Sequence, residues 1–432
     1  MKDLTLYKLT KAVSNAVDLI STKVVGHNRQ VAYITLQLAQ EMGLKKKAVK
    51  KAAIAGLIHD LGVFYLGQDY SDLRFDQKDN RHAEAGYILA EKNFPDADIP
   101  EIIRYHHHNW EELKIDGMES DRAAGRKERL LLSNIVFMAN IVANLVVQRE
   151  ENNILLARDE IMERIKKIPA GKIYEKILSA LEDVQAREYF WLDLIDNRRC
   201  IAALDEYFSD EDRSLSREQF LKLGQLTGYI IDFRSTFTAT HTSGVARMAA
   251  KLGEEVGLEQ KRVELLELAG YFHDIGKLAV PEEILEKPES LTDEEWSIMR
   301  THTYFTYHCL NTGEELEDIR NWAAYHHERL SGDGYPFQIP GKDLSKEARI
   351  MAVVDVFTAL TEDRPYRRGL DYKKVKKILQ EMARDEDLDE DLVAVVTDNF
   401  TEFNSLRFKV QNRVKKYYEK FAADCEDLLK MA

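Results

Sequence analysis

The chain has 432 residues, of which 44% are hydrophobic and 31% are charged, and its formal net charge is −14. This length predicts two or three domains, and the composition is typical of a globular protein rather than of a disordered chain. The acidic balance without a basic stripe argues against binding of a DNA or RNA polymer. Three scattered cysteines favour a reducing, cytoplasmic location, and sparse glycine and proline predict helices.

The same pattern of histidines occurs twice in the chain. The first copy comprises His27, His59, Asp60, His82, His106 and His107, and the second comprises His241, His273, Asp274, His302, His326 and His327. In each copy the first histidine precedes the His-Asp pair by 32 residues, and the third precedes the double histidine by 24. Repetition over this length predicts two copies of one helical domain.

Between the two copies, residues 151–233 are predicted to form connector helices. Apolar residues recur there at helical spacing, as at Ile161, Ile165 and Ile168. Upstream, the apolar stretch at residues 135–147 is shorter than the ~20 residues of a membrane-spanning helix, and the N-terminus lacks the apolar core of a signal peptide. We therefore expect a buried core helix at residues 135–147 and no membrane association.

In the second copy, several predicted helices lead to histidines and aspartates. His241 is expected near the start of a helix. Thr292 and Glu295 form a capping box that is predicted to open a helix carrying Trp296, Met299 and His302. Ser345 is predicted to cap the helix that reaches Asp355. A metal centre needs donors that converge from several elements, and this arrangement would supply them.

Three sequence strings resemble the motifs of the HD-GYP phosphodiesterases, a branch of the HD metal-dependent phosphohydrolases. They are HDIGK (273–277), HHERLSGDGYP (326–336) and DVFTALTEDRPYR (355–367). The resemblance covers about residues 236–400. It implies an all-α bacterial signalling enzyme with a degenerate HD domain at residues 1–150, a helical connector at 151–233 and a catalytic HD-GYP domain at 234–432.

The resemblance implies a centre with two metal ions. One ion would be held by His241, His273, Asp274 and Asp355, and Asp274 would bridge to a second ion completed by His302, His326 and His327. Iron or manganese is expected, with nickel or zinc as alternatives, because imidazoles and carboxylates suit such ions. The implied reaction is hydrolysis of cyclic di-GMP to pGpG, and onward to GMP, by a hydroxide that the two metals activate.

The resemblance also implies catalytic and substrate-binding residues around this centre. Asp274 and Lys277 are assigned to catalysis. Substrate contacts are assigned to Lys277, Gly334, Tyr335, Pro336, Arg364 and Arg367. The two arginines either make bidentate phosphate contacts or pair with acidic side chains. Glu328 either orients a ligand imidazole or is solvated.

The first copy diverges where the second carries its implied chemistry. Asn140 aligns with Asp355, Val63 aligns with Lys277, and no Gly-Tyr-Pro string follows His107. We interpret the first copy as a degenerate HD domain with a regulatory, sensory or dimerising role and a vestigial metal site. A second active site and a simple packing partner are the alternatives.

Some positions depart from the family pattern. Phe237 stands where certain members have a glutamate that supports a third metal, so two metals are expected. Ser331 and Thr358 stand where aspartates are common, which leaves the choice of substrate open. Alternatives to cyclic di-GMP hydrolysis are a phosphodiesterase for 3′,3′-cyclic GMP-AMP and a non-catalytic signalling module that binds metal and nucleotide. A homodimer is the default expectation, and a signalling protein partner is a further one.

Overall fold

The computed structural model describes residues 4–19, 26–66, 80–117, 123–147, 153–210, 214–234, 240–363 and 368–431. These residues form α-helices, short 3₁₀ helices and loops, with one isolated β-bridge between Thr5 and Ser214 and no strand among them. The predicted all-α fold is therefore confirmed.

The helices follow one another in this order: α1 (Leu6–Val17), α2 (His27–Glu41), α3 (Lys46–Ile58), α4 (Val63–Leu66), α5 (Arg81–Asn93), α6 (Asp98–Arg104), α7 (Trp110–Gly117), α8 (Ala123–Val147), α9 (Ile154–Lys166), α10 (Glu175–Gln185), α11 (Glu188–Leu194), α12 (Asn197–Tyr207), α13 (Arg217–Arg234), α14 (His241–Glu255), α15 (Gln260–Phe272), α16 (Glu282–Leu285), α17 (Asp293–Met299), α18 (Thr301–Leu310), α19 (Glu317–Ala324), α20 (Lys346–Thr361), α21 (Tyr372–Arg384), α22 (Glu390–Asp398) and α23 (Phe400–Met431). Short 3₁₀ helices span Ile275–Ala279, Glu314–Leu316 and Gly341–Asp343.

The chain divides into two compact units. One unit comprises residues 21–213 and 424–432, and the other comprises residues 1–20 and 214–423. The predicted boundaries at residues 150 and 233 differ from this division. The segment at 154–207, predicted as a connector, belongs to the first of these units, and α13 belongs to the second.

The unit of residues 21–213 and 424–432 is built around α8, which packs against α2, α3 and α6. Within the described ranges, residues 125–147 are long and apolar enough to cross a membrane, but most of this stretch is buried inside the unit. Ile135, Val136 and Met138 are fully buried. The predicted core helix at residues 135–147 is therefore confirmed.

The unit of residues 1–20 and 214–423 includes the first helix of the chain. The Lys8 ammonium donates to the Thr312 carbonyl at 3.3 Å, and the Asn15 amide donates to the Cys309 carbonyl at 3.1 Å. Tyr7 and Leu9 of α1 are buried. The amphipathic α1 thus covers α18, although the sequence placed it in the N-terminal domain.

The predicted helix starts of this unit are confirmed, but the helix that Thr292 caps ends at Met299, and His302 lies in the next helix, α18. α14 begins at His241, and the side chain of Thr292 accepts from the Glu295 backbone in a complete capping box at α17. The Ser345 side chain accepts from the Ala348 backbone at the start of α20. Since α14, α15, α19 and α20 pack together, their chemically active residues come close to one another.

Candidate metal centre

Five segments of the second HD copy deliver the seven predicted ligands to one place. His241 begins α14, His273 and Asp274 end α15, His302 lies in the first turn of α18, His326 and His327 follow α19, and Asp355 lies within α20. All but His327 are classed as buried. Donor atoms lie within 4.8 Å of one another in each of three groups: His241, His273 and Asp355; His273, Asp274 and His326; and His302, His326 and His327.

Three of these imidazoles are oriented by local backbone carbonyls. In each, Nδ1 lies within hydrogen-bond distance of the carbonyl oxygen three residues earlier. The pairs are His273 with Gly270 at 2.8 Å, His302 with Met299 at 2.7 Å, and His326 with Ala323 at 2.6 Å. Because a carbonyl can only accept, Nδ1 carries the proton and Nε2 presents a lone pair to the centre.

These lone pairs face other acceptors. His273 Nε2 lies 3.2 Å from Asp274 Oδ2, and His302 Nε2 lies 3.6 Å from Asp274 Oδ1 and 3.3 Å from His326 Nε2. His273 Nε2 is buried and has no hydrogen-bond partner among the described residues. Acceptors that converge in this way are satisfied by a cation, so the residues fit a divalent transition metal.

Burial sets the protonation of this cluster. It lowers the pKa of His302 to about 3 and that of His327 to about 4, so both imidazoles are neutral at pH 7 and can bind metal. Burial alone would raise the pKa of Asp274, but His273 and Lys277 beside it hold that pKa well below its usual range. The Asp274 carboxylate beside the neutral imidazoles of His302 and His327 is a combination that suits metal binding.

His241 is held by carboxylates instead of a carbonyl. Its Nε2 lies 2.9 Å from Asp355 Oδ1, and its Nδ1 lies 3.1 Å from Glu362 Oε1. Burial would lower the pKa of His241, but Glu362 and Asp355 raise it to about 10. Gln411 donates to the other Glu362 oxygen at 3.0 Å.

Glu362 was not predicted as a site residue, although the sequence carries a signal for it. Glu362 follows Asp355 by seven residues, which is two helical turns, so both side chains lie on one face of α20 and its C-cap. A carboxylate on the second nitrogen of a ligand imidazole fixes the ring and increases its basicity.

Replacing Glu362 with glutamine should weaken metal binding by roughly 10–100-fold, because the amide cannot support His241 as an anion does. Competition between the full-length protein and a fluorescent chelator for Mn²⁺ measures this affinity. Glu267→Gln is the matched control, since Glu267 is a buried carboxylate of the same unit that pairs with Arg247 at 3.2 Å. Equal affinity in both variants would exclude a supporting role for Glu362.

A second buried acidic side chain, Asp232, was also not predicted and contacts the start of α14 next to His241. Asp232 accepts from the Thr242 hydroxyl at 2.9 Å and from the Tyr418 hydroxyl at 2.8 Å. Burial raises the pKa of Asp232 to about 8. This network joins α13, the start of α14 and α23, and thereby anchors the backbone that carries His241.

The HDIGK string brings Lys277 and Gly276 to the centre. The Lys277 ammonium donates to Asp274 Oδ2 at 2.6 Å. A Cβ atom at Gly276 would lie 1.9 Å from the His302 carbonyl oxygen, so only glycine allows the turn to approach α18 this closely. The phosphate contact of Lys277 remains a prediction.

The Gly-Tyr-Pro loop lies beside the ligands. The Tyr335 ring centroid is 4.9 Å from that of His327, and Gly334 packs against the Glu328 backbone. Pro336 follows Tyr335 in the same loop. The Ser331 hydroxyl donates to Asp333 within it. Substrate contacts of the loop remain predictions.

Both roles predicted for Glu328, orienting a ligand imidazole or being solvated, are wrong. It is buried and accepts from the backbone amides of Phe337 at 2.7 Å and Ile339 at 3.0 Å. Glu328 is therefore neither solvated nor bonded to an imidazole: it closes the loop that carries Tyr335. The remaining predicted positions Arg364, Arg367 and Phe237 lie outside the described residues.

The first HD copy also brings its six predicted residues together. Donor atoms lie within 4.8 Å of one another in two groups: Asp60, His82, His106 and His107; and His27, His59 and Asp60. Asp60 is central, with its carboxylate oxygens 3.1 Å from His59 Nε2 and 3.5 Å from His82 Nε2. His27 Nε2 is 3.9 Å from Asp60 Oδ2. The imidazoles of this copy are therefore gathered around Asp60, although the copy lacks other residues of the family pattern.

Family models match both halves of the chain. The model described as "HD domain" matches residues 24–145, and a second model of the same description matches residues 225–392. The chain therefore has two HD domains, which confirms the HD part of the predicted resemblance. HD domains are metal-dependent phosphohydrolases, and the chain is an enzyme of this class.

Curated relatives and one solved structure extend this likeness. The 3′3′-cGAMP-specific phosphodiesterase 1 of Vibrio cholerae is 29% identical over 404 residues, which cover 91% of each chain. The cyclic di-GMP phosphodiesterase response regulator RpfG of Xanthomonas campestris is 34% identical over 175 residues, covering 40% of this chain and 44% of RpfG. The crystal structure of a cyclic GMP-AMP-specific phosphodiesterase of V. cholerae aligns over 93% of this chain and 98% of its own, with a TM-score of 0.64 and 17% identity, and so has the same fold.

Proposed function

We propose that the C-terminal HD domain hydrolyses a 3′–5′ phosphodiester bond of a cyclic dinucleotide. The observation that supports this most is the convergence of seven imidazole and carboxylate side chains around Asp274, next to the Gly-Tyr-Pro loop. Water adds across one P–O3′ bond, which leaves a 5′-phosphate and a free 3′-hydroxyl. Cyclic di-GMP would thus yield pGpG, and a second hydrolysis would yield GMP.

The residues of the centre have distinct roles in this reaction. His241, His273, Asp274 and Asp355 would hold one ion, and Asp274, His302, His326 and His327 would hold a second. When bound, two divalent ions polarise a phosphoryl oxygen and lower the pKa of water. Iron or manganese is the proposed metal.

Lys277 contributes a positive charge that does not depend on metal. Its ammonium lies 2.6 Å from Asp274 and is only partly exposed, so it stands at the boundary between the ligands and solvent. A phosphate oxygen that approaches Asp274 would meet this ammonium. Lys277 would therefore orient the phosphodiester and offset the charge that develops on it.

An aromatic and cationic rim extends from the centre and is a candidate for nucleobase binding. The Arg300 guanidinium lies 4.6 Å from the centre of the Tyr335 ring, and the Trp296 ring lies 6.5 Å from it. The Trp296 indole is 47% exposed although it is large and apolar, which leaves a face free for stacking. No base-reading residue was predicted at these positions.

Replacing Trp296 with alanine should raise KM for a cyclic dinucleotide by about tenfold with little change in kcat, because base–aromatic stacking contributes about 1–3 kcal/mol. Steady-state kinetics of the full-length enzyme measures both constants. Tyr304→Ala is the control, since Tyr304 is an exposed aromatic of the same unit that contacts Phe305 and His308. A KM that is unchanged in the Trp296 variant would remove this side chain from the substrate site.

Two substrates are candidates, and one has support from the extent of the likeness. The relative that matches this chain over 91% of both lengths, including both HD domains, is named as specific for 3′3′-cGAMP, whereas RpfG matches over 40% of this chain. 3′,3′-Cyclic GMP-AMP is therefore the proposed first substrate, with the predicted cyclic di-GMP as the second. A cytoplasmic signalling role would accompany either of them.

Parallel hydrolysis assays test this proposal. Protein purified without oxygen and loaded with iron or manganese is offered each cyclic dinucleotide, and the linear product is quantified by chromatography. Cleavage is expected, and the larger kcat/KM identifies the substrate. If protein with measured bound metal cleaves neither, the alternative of a non-catalytic binding module replaces the phosphodiesterase.

A further inference from the structure

We propose that the N-terminal HD domain is a separate metal centre that binds one divalent transition-metal ion through Asp60, His82, His106 and His107, and that it does not hydrolyse substrate. This goes beyond the activity proposed for the C-terminal domain. The four side chains come from three places in the fold: the turn after α3, the start of α5 and the loop after α6.

The orientation of His106 favours a bound cation. Its Nδ1 lies within hydrogen-bond distance of the Ile103 carbonyl, so Nδ1 carries the proton and Nε2 presents a lone pair. Nε2 faces Asp60 Oδ1 at 3.8 Å, is buried, and makes no hydrogen bond within the described part of the chain. Two acceptors that face each other in a buried place are costly unless a positive ion lies between them.

His82 and His107 complete the same group. Their Nε2 atoms are 2.9 Å apart, and His82 Nε2 is also 3.5 Å from Asp60 Oδ1. All four donors lie within 4.8 Å of one another. Three imidazoles and one carboxylate form a donor set that suits zinc, manganese, iron or nickel.

Each predicted metal centre has two halves, one for each ion, and the two HD copies differ in the ligands of only one half. The C-terminal half-site of His241, His273 and Asp355 is supported by Glu362. At the corresponding places the N-terminal copy has Asn140 and Val147, and the Asn140 amide oxygen accepts from Asn144 at 2.9 Å. The other half-site keeps every counterpart, because Asp60, His82, His106 and His107 correspond to Asp274, His302, His326 and His327.

The charges of the donors then set the number of ions. Two divalent ions carry four positive charges, which Asp274, Asp355 and Glu362 oppose in the C-terminal copy. In the N-terminal copy Asp60 is the one carboxylate among the clustered donors of the described chain. A second ion would therefore be strongly repelled in this buried place, whereas a single ion is well compensated.

The N-terminal copy also lacks the groups that would bind a phosphodiester. The residue that aligns with Lys277 in this copy is Val63, which is buried. This position therefore supplies no ammonium group beside Asp60. The double histidine is followed by HNWEELKIDG, without a Gly-Tyr-Pro string. An ion here would join three helical segments and stabilise the domain, without a substrate-binding loop.

Metal counting with Mn²⁺ as the probe tests this proposal. In full-length protein that carries Asp274→Asn and Asp355→Asn, both C-terminal carboxylate ligands are gone. We expect one tightly bound manganese per chain by elemental analysis and the six-line electron paramagnetic resonance spectrum of an isolated ion. Adding Asp60→Asn should remove that ion. Adding Asn140→Asp instead should raise the count to two and produce a spin-coupled spectrum.

Three results would overturn the proposal: no bound manganese in the starting variant, two ions in it, or retention of the ion after Asp60→Asn. A count that stays at one in the Asn140→Asp variant would contradict the role of carboxylate charge. Because Asp60 is buried, His107→Ala is a second variant at the less buried edge of the group. Circular dichroism verifies its fold, and it should lose the ion as well.

Discussion

Replacing Asp274 with asparagine should reduce hydrolysis of the cyclic dinucleotide by roughly a thousandfold or more, which corresponds to about 4 kcal/mol of transition-state stabilisation. Asp274 is the carboxylate nearest to both His273 and His302, at 3.2 and 3.6 Å, and it also holds Lys277. Asparagine has the same shape but is neutral, so it cannot compensate metal ions or the ammonium. Metal content and kcat/KM should be measured on the same preparation.

The equivalent change in the other HD domain is the control for this experiment. Asp60 occupies the corresponding position, 3.1 Å from His59 and 3.5 Å from His82. Asp60→Asn should keep most of the hydrolytic activity, because the C-terminal centre retains all its ligands. Full activity in the Asp274 variant together with loss in the Asp60 variant would move the reaction to the N-terminal domain.

Replacing Gly276 with alanine should reduce hydrolysis by roughly a hundredfold, since misplacement of reacting groups by about 1 Å has effects of this size. A Cβ atom at Gly276 would lie 1.9 Å from the His302 carbonyl oxygen and 2.6 Å from the Thr306 nitrogen. The turn that holds Asp274 must then move away from α18. Overpacking of this kind costs typically about 1–3 kcal/mol of stability, so thermal unfolding and activity should be recorded together.

Gly62 provides a matched control for Gly276. A Cβ atom there would lie 2.0 Å from the His82 carbonyl oxygen, which is the same clash in the N-terminal copy. Gly62→Ala should destabilise that copy to a similar degree and spare the C-terminal ligands. If the two variants lose activity equally, general destabilisation explains the loss, and the close approach at Gly276 has no specific role.

Local sequence patterns predicted many features of the fold and site correctly. The helix beginning at His241 and the caps at Thr292 and Ser345 depend on residue types within a few positions of one another. The orientation of His273, His302 and His326 was not predicted, although it is also a local feature, since each bonds to a carbonyl three residues earlier. Short-range steric and hydrogen-bonding preferences decide such features, and these are visible in a window of sequence.

Contacts over long separations were not predicted. Glu362 is 121 residues from His241. Glu328 is near its partners in sequence, but it bonds to backbone amides, which have no side-chain signature. Trp296 reaches the neighbourhood of Tyr335 only because α17 precedes the helix that carries His302. The contact of Glu362 with His241 and the approach of Trp296 to Tyr335 thus follow from how helices pack against one another.

The sequence by itself determined the helical class and the two HD copies, and it predicted the imidazole and carboxylate side chains that the structure brings together, because residue identity and spacing express them directly. Only the tertiary structure decided that α1 packs with the C-terminal unit, that Glu362 supports His241, and that the N-terminal imidazoles remain gathered around Asp60. These outcomes depend on which helix faces are buried together. That choice is a collective result of packing and charge over the whole chain, and no single segment encodes it.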